Sequence, residues 1–360
     1  MVDGLLLYSR QRSAGLRNED SMARDHIVPQ LLLRGFTDPA TGRVCVYDKK
    51  TDKVFWSGTS GIAAEHDYYD FKVMGGRFTI DSGLTKLESE TDPILKKIIL
   101  TRSIAALSIQ ERMVVSHFAA VQMLRGQVVR DGILTLNQTM ANMFRERGYD
   151  PTKIKNFGVM NKEDARLVSL RLVTEASREF AAHIYSKTWL LFQTSPPETF
   201  WISDNPVVMN NDVYPPVQGG LGLAAPGVQI SLPITAELSL GFYCPSIALQ
   251  VRKDHLRLRA LSLLSPREAA RRFLDPLFSE SLMRGFDEGR TVPIPGTSVV
   301  HHNSLQVAFC ARFVYSPNDR FRLVQRMISD DDRYRQAPLP LITWPASRKR
   351  PVGGRGSQGG

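Results

Sequence analysis

Asp25-His26-Ile27-Val28-Pro29-Gln30, running on through Leu31 to Phe36, brings a titratable side chain, a rigid turn and an apolar run together. Pro29 locks its own φ and pushes Val28 toward an extended conformation. Proline is also well placed in the first turn of a helix. His26 and Ile27 are therefore expected to end an extended segment, and Gln30 to Phe36 to open a short helix or turn. Leu31, Leu32, Leu33 and Phe36 supply its buried face. His26 then sits at a helix entrance, either facing a cleft or bonded to a backbone carbonyl as a core histidine.

Working outward, Gly42 to Trp56 has the pattern of a β-hairpin. Arg43 to Tyr47 forms one strand, Asp48 to Asp52 a charged turn, and Lys53 to Trp56 the return. Ser60 to Asp67 reads as a short helical turn, with Glu65, His66 and Asp67 on a surface turn. Leu84 to Leu100 has helical spacing, interrupted by Asp92-Pro93, which predicts a kink or two consecutive helices. Ser108 and Glu111 fit a capping box and start the clearest helix, to Arg125. On it Met113, Val114, His117, Val121 and Leu124 make one stripe, and Phe118, Gln122 and Arg125 the next. Arg125 can act as an anion clamp through its planar fork. Alternatively, with Gly126 behind it, it is a helix-end arginine bonded to the last carbonyls. Helices continue over Val128 to Arg147 and Glu163 to Ser186.

The pattern changes at Thr188. Trp189 to Phe192 and Phe200 to Ile202 read as a second hairpin, which delivers Ser203-Asp204-Asn205-Pro206 at a strand end, a common place for catalytic groups. Asn-Pro is also a turn signal. Asn210 to Gly227 reads as a long loop. Val228 to Leu232 and Leu238 to Phe242 read as antiparallel strands. Ser265-Pro266 opens a helix from Arg267 to Phe273. His301-His302-Asn303 opens the last helix, with Asn303 as N-cap, over Ser304 to Phe309 and on to Arg312.

Length and composition set outer limits. The chain has 360 residues, of which 42% are hydrophobic, which is enough for a substantial core. No window approaches the ~20 apolar residues of a membrane span. The longest apolar run near the start, Leu5 to Tyr8, is too short for a signal peptide. These features predict a cytoplasmic protein without a membrane. Cys45, Cys244 and Cys310 are spaced as buried thiols, with no metal-like pair. The net charge of +10 includes Arg348, Lys349, Arg350 and Arg355 in a Gly-rich tail; without them the remainder carries about +6. A basic chain favours phosphate-bearing partners without requiring them.

Asp-His-Ile-Val-Pro also opens like an HNH nuclease motif, in which a His activates water at a metal-bound phosphate. The likeness stops after five residues. The next His is His66, the first following Asn is Asn137, and no Cys-x-x-Cys pair braces the unit. A wider likeness covers residues 24 to 317. His-Ile-Val-Pro-Gln-x-x-Leu-x-x-Phe is followed by Val46 to Lys50, Ile62 to Glu65 with Tyr68-Tyr69, and Leu87-Glu88. Then come Phe118-x-x-x-Gln122-x-x-Arg125, Trp201 to Pro206, and Asn303 ahead of Ala311 to Tyr315. In order and spacing this resembles an uncharacterised family marked by an H-x-x-P motif, domain of unknown function 4238. The resemblance implies the extent of a domain and brings no activity with it.

The expected fold is therefore one α+β domain over residues 24–335: an N-terminal hairpin, a helical middle and a C-terminal antiparallel sheet. A flexible leader (1–23) precedes it and a disordered basic tail (336–360) follows. The expected function is a hydrolase acting on a phosphate-containing substrate, a nucleic acid or nucleotide. His26, Glu88 and Asp204 would be its catalytic groups or ligands to a divalent metal. Gln30, Gln122, Arg125, Asn205, Asn303 and Arg312 would hold the substrate. The alternatives are a non-catalytic nucleic-acid-binding module, and a purely architectural network of His26, Glu88 and Arg125.

Overall fold

A computed structural model describes residues 15–16, 24–66, 68–73, 76–213, 222–272 and 276–337. Most of the expected leader, and the tail from residue 338, lie outside these. Within the leader, Gly15–Leu16 (β1) is a two-residue strand. Arg24–His26 (β2) follows, and Pro29, extended at φ −67° and ψ 147°, caps the short helix Gln30–Leu33 (α1). A 3-10 turn over Arg34–Phe36 completes it, burying Leu32, Leu33 and Phe36 completely. Gly35 packs so closely on the Ile234 carbonyl that a side chain would collide with backbone. Its own carbonyl accepts Ala236 N, so this turn is fixed onto the distant sheet.

The first hairpin forms as the sequence predicts, from Val44–Asp48 (β3) and Lys53–Ser57 (β4). The stretch after it departs from expectation. A 3-10 turn, Thr59–Gly61, leads into the strand Ala64–His66 (β5), which pairs antiparallel with β2, His26 opposite Ala64. Glu65 and His66 are thus strand residues; Asp67 lies outside the described residues. Asp70–Val73 (β6) and Gly76–Thr79 (β7) pair with each other, and β7 also takes β1.

The helical middle opens with Asp81–Thr101 (α2), which runs unbroken across Asp92-Pro93 and stops where Arg102 turns left-handed at φ 47°. The expected division at Pro93 does not occur. Leu87, Ile94, Leu95 and Ile98 are buried on both sides of it, so packing holds the helix together where proline removes one ladder bond. In Ile109–Leu124 (α3) both bonds of the Ser108–Glu111 capping box are present. Such a cap is worth about 1 kcal/mol. Met113 is exposed, contrary to the predicted stripe, whereas nearly every residue from Phe118 onward is buried. The helices Gln127–Glu146 (α4), Lys162–Glu175 (α5) and Ser177–Tyr185 (α6) complete the layer, with α3 packed on α2 and α6, and α4 on α5.

Thr188–Gln193 (β8) and Ile202–Ser203 (β9) do not form the second hairpin expected of them. They belong to different sheets. The prolines Pro196 and Pro197 between them lack ladder donors, and Phe200 N instead finds the Ala236 carbonyl. β8 lies in a five-stranded sheet with Val208–Asn210 (β10), Gln229–Pro233 (β11), Leu238–Tyr243 (β12) and Thr291–Pro293 (β13), in the order β10-β11-β12-β8-β13. All its neighbours are antiparallel except β13, which runs parallel to β8. β9 pairs with Phe313–Ser316 (β14), which lies along β3 and completes a sheet ordered β4-β3-β14-β9. Part of the expected Asn210–Gly227 loop, residues 214–221, lies outside the described residues.

Three helices precede β13 or flank it: Pro245–Leu264 (α7), Pro266–Arg272 (α8) and Pro276–Glu288 (α9). Gly296–Phe309 (α10) and Arg322–Asp330 (α11) follow. α10 begins after Pro295, not at His301, and ends at Phe309, short of the expected Arg312. Asn303 is therefore mid-helix and no N-cap. The fold is mixed α+β. One apolar core draws on residues from Ile27 through Tyr315, and a second, around Tyr47, Trp201, Val314 and Phe321, lies under the β3–β14 sheet. Cys45 and Cys310 are buried free thiols, and Cys244 is partly exposed. No helix among the described residues is long and apolar enough to cross a membrane.

Candidate functional site

The expected site residues divide into two groups that meet at one point. The first surrounds the end of α3. Gln122 and Arg125 lie three residues apart, on one face of the last turn, and each is only 1% exposed. Arg125 Nη1 donates to Glu88 Oε1 of α2 at 2.9 Å, and Glu88 is 27% exposed, so the pair borders solvent there. Burial works against the guanidinium charge; the Tyr69 hydroxyl and Glu88 carboxylate beside it more than restore it. Tyr69 donates its own proton to the His26 carbonyl at 2.8 Å, and its backbone N–H bonds Asp25 Oδ2 at 2.9 Å. Thus β2, with His26, is attached to the same cluster.

The hydrogen-bond accounting here is incomplete. Arg125 Nε and Nη2 have no hydrogen-bond partner among the described residues, and neither has either amide atom of Gln122. Nε and Nη2 form the edge with which an arginine grips a carboxylate or phosphate through two parallel bonds. An unmet buried polar atom costs about 1–3 kcal/mol, more on a charged group, and in a native protein it calls for a partner. The guanidinium thus donates to Glu88 and not to the last carbonyls of α3, which was one of the two expectations for it. Arg125 is the C-cap of α3 by backbone, and its fork faces inward.

The second group is saturated. Asp204 Oδ1 accepts Ala311 N at 2.8 Å, and Oδ2 accepts Arg312 N at 2.7 Å and Phe313 N at 2.8 Å. Burial pushes its carboxyl above the usual range, against the pull of these three donors and Lys49. Asn303 accepts Trp201 N and donates to the Thr199 carbonyl. Asn205 Nδ2 donates to the Phe309 carbonyl, and Gln306 joins Ser203 Oγ to the Pro206 carbonyl. Arg312 holds Asp48 with Nε at 2.9 Å and Nη2 at 2.6 Å, which lowers the Asp48 carboxyl to about 2. Lys49, fully buried, donates to the carbonyls of Val307 and Cys310 at the end of α10. The two groups touch where Gly126 faces the Asp204–Asn205 turn.

Gln30 belongs to neither group; its Oε1 accepts the Thr59 hydroxyl at 3.3 Å. The structure thus joins Arg125 to Glu88, places Gln122 one helical turn before Arg125 and ties the His26 backbone to the cluster through Tyr69, and it uses Asp204, Asn205, Asn303 and Arg312 as a clip between strands and helix. Sequence reasoning missed the contribution of Asp25 and Tyr69, and the bidentate Glu65–Arg130 pair, whose guanidinium lies 4.9 Å from the Tyr68 ring centroid. Asp25, next to His26, was the one local signal for this. Among the described residues no group of three or more His, Cys, Asp or Glu side chains could hold a metal ion.

No curated protein and no solved structure matches the chain. A family model described as Protein of unknown function (DUF4238) matches residues 24–320, so the chain belongs to that family.

Proposed function

We propose that the chain is a hydrolase acting on a phosphate-containing substrate, with the phosphate held at the end of α3. The observation that carries this reading is the empty Nε–Nη2 edge of the buried Arg125 beside the unbonded amide of Gln122. A phosphate oxygen pair on the arginine edge and a third oxygen on Gln122 Nε2 would meet these donors together. Glu88, bonded to Nη1, fixes the guanidinium in place. His26 is the base. Its imidazole takes a proton from water, the water oxygen attacks phosphorus, and the leaving oxygen departs with the bonding pair and is protonated from solvent. Asp204, proposed from sequence as an acid, has both oxygens engaged and is given no catalytic role.

The test is hydrolysis of phosphomonoesters, nucleotides and single-stranded oligonucleotides by the full chain, with binding of inorganic phosphate measured in parallel. Arg125→Lys keeps a charge but loses the fork, and is expected to cost about 100-fold in kcat/KM. His26→Ala is expected to lower kcat, and it keeps the bond from Tyr69 to the residue 26 carbonyl; its melting temperature is measured alongside. Absence of hydrolysis across the panel, or unchanged rates in both variants, sinks the reading.

A further inference from the structure

An open pocket of about 400 Å3 lies between the five-stranded sheet and α7, α9 and α10. It shares no residue with the Gln122–Arg125 cluster. Its inner wall is aromatic. Phe192 and Tyr243 come from adjacent strands, with ring centroids 5.6 Å apart, and His302 lies 5.4 Å from Phe192. Phe278, Leu282 and Phe286 of α9 close the other side. A pocket of this size has room for a small ligand, seated in an open groove.

The polar groups are unevenly placed. His302, deep in the cavity, has Nδ1 within 3.1 Å of Ser231 Oγ, and burial lowers it to about 4, so it is neutral at pH 7. His301, Thr297 and Ser298 sit along α10, and Asp212 and Gln229 border the cavity from β11 and the residues after β10. Asp212 is exposed. Its carboxylate accepts Asn210 Nδ2 at 2.8 Å and Gln229 Nε2 at 3.3 Å, but pairs with no Lys or Arg among the described residues. Burial raises the Tyr243 phenol, and the Asp212 charge nearby adds to it. In a chain of net charge +10, a negative charge with no cation paired to it among the described residues thus borders a set of aromatic rings. Ring faces attract cations through their quadrupole, most of all where water is excluded. Arg252, which does not line the cavity, already uses this attraction on Phe286 at 5.7 Å.

We infer that this cavity binds an organic cation: an ammonium group on an apolar body, with the charge at Asp212 and the body against Phe192, Tyr243 and Phe278. An anionic head would face the Asp212 carboxylate. An uncharged body would leave that carboxylate without a counter-ion among the described residues.

Calorimetric titration of the full chain with benzyltrimethylammonium, benzyl alcohol and benzoate tests this, at pH 7 and low salt. The ammonium is expected to bind saturably at one site, with Kd about 1 mM or tighter, and about tenfold more tightly than the alcohol. Asp212→Asn should weaken the ammonium about tenfold and leave the alcohol unchanged. Ser298→Lys, which places a cation at the same rim, should abolish ammonium binding and serves if the first variant is poorly folded. Equal or tighter binding of benzoate, no saturable ammonium binding, or indifference to both substitutions overturns the inference.

Discussion

Arg312 lays its Nε and Nη2 on the Asp48 carboxylate, while Arg125, far more buried, leaves the same edge empty. The contrast extends to their surroundings. Around Arg312, the carboxylate of Asp204 and the amides of Asn303 and Gln306 spend their capacity on backbone groups from strands and helix ends. Around Arg125, the Gln122 amide has no hydrogen-bond partner among the described residues. Both regions are buried and polar, and both hold residues that look catalytic in sequence. What separates them is whether the fold has already met their hydrogen bonds. A polar cluster that closes on itself rigidifies the chain; one left open has a place for something else.

Three perturbations break or sharpen this contrast. The largest effect belongs to Asp204→Ala, which strips one buried and two part-buried N–H groups of their acceptor and is expected to cost about 3–5 kcal/mol. Urea unfolding followed by fluorescence, with Trp201 on the adjoining strand as reporter, measures it. A loss under about 1 kcal/mol would show that the clip is dispensable. Next comes acid. The Asp48 carboxyl ionises at about 2 in the folded chain against a reference value of 3.8. A depressed folded value means stability that is present above about 4 and lost as pH falls toward 2. Arg312 is partly exposed, so solvent screening reduces the gain to about 1 kcal/mol. Arg312→Met should remove this pH-dependent part, visible as a flatter stability curve between pH 4 and 2; parallel curves would refute it. The smallest effect on stability is expected from Gln122→Met. It replaces an unbonded buried amide with an apolar chain of similar size, and should shift stability by less than about 1 kcal/mol. The same variant should bind phosphate more weakly. A destabilisation above about 2 kcal/mol would mean that the amide already has partners.

How legible each part was depended on how far its partners lie along the chain. The Ser108–Glu111 cap and the β3–β4 hairpin are local, and sequence specified both. The expected hairpin of Trp189 and Phe200 failed because each half finds its neighbours elsewhere: β8 beside β12 and β13, β9 beside β14. Asn303 lies mid-helix because α10 already starts at Pro295-Gly296, and its amide serves Trp201 and Thr199, partners too distant along the chain to leave a local mark. Gln122 and Arg125 were legible as a pair through their helical spacing. Their burial, their empty donors, and the contacts of Asp25 and Tyr69 were not, since these depend on β2 meeting β5 and on α2 lying across α3. Nothing local distinguishes the engaged Asp204 from a free carboxylate.

The sheet of β3 and β14 also bears on how the chain is made. Asp48 and Arg312 are 264 residues apart. At synthesis rates of ~5–20 residues per second, β3 waits about 13 to 50 s on the ribosome before β14 emerges to cover its open edge. During that interval Lys49 has no helix end to hold, and the apolar faces of Cys45 and Tyr47 lack Val314 and Phe321. Until β14 is made, the amino-terminal hairpin has only its own two strands to pair with, so the final form of this sheet can be reached only after most of the chain has been synthesised.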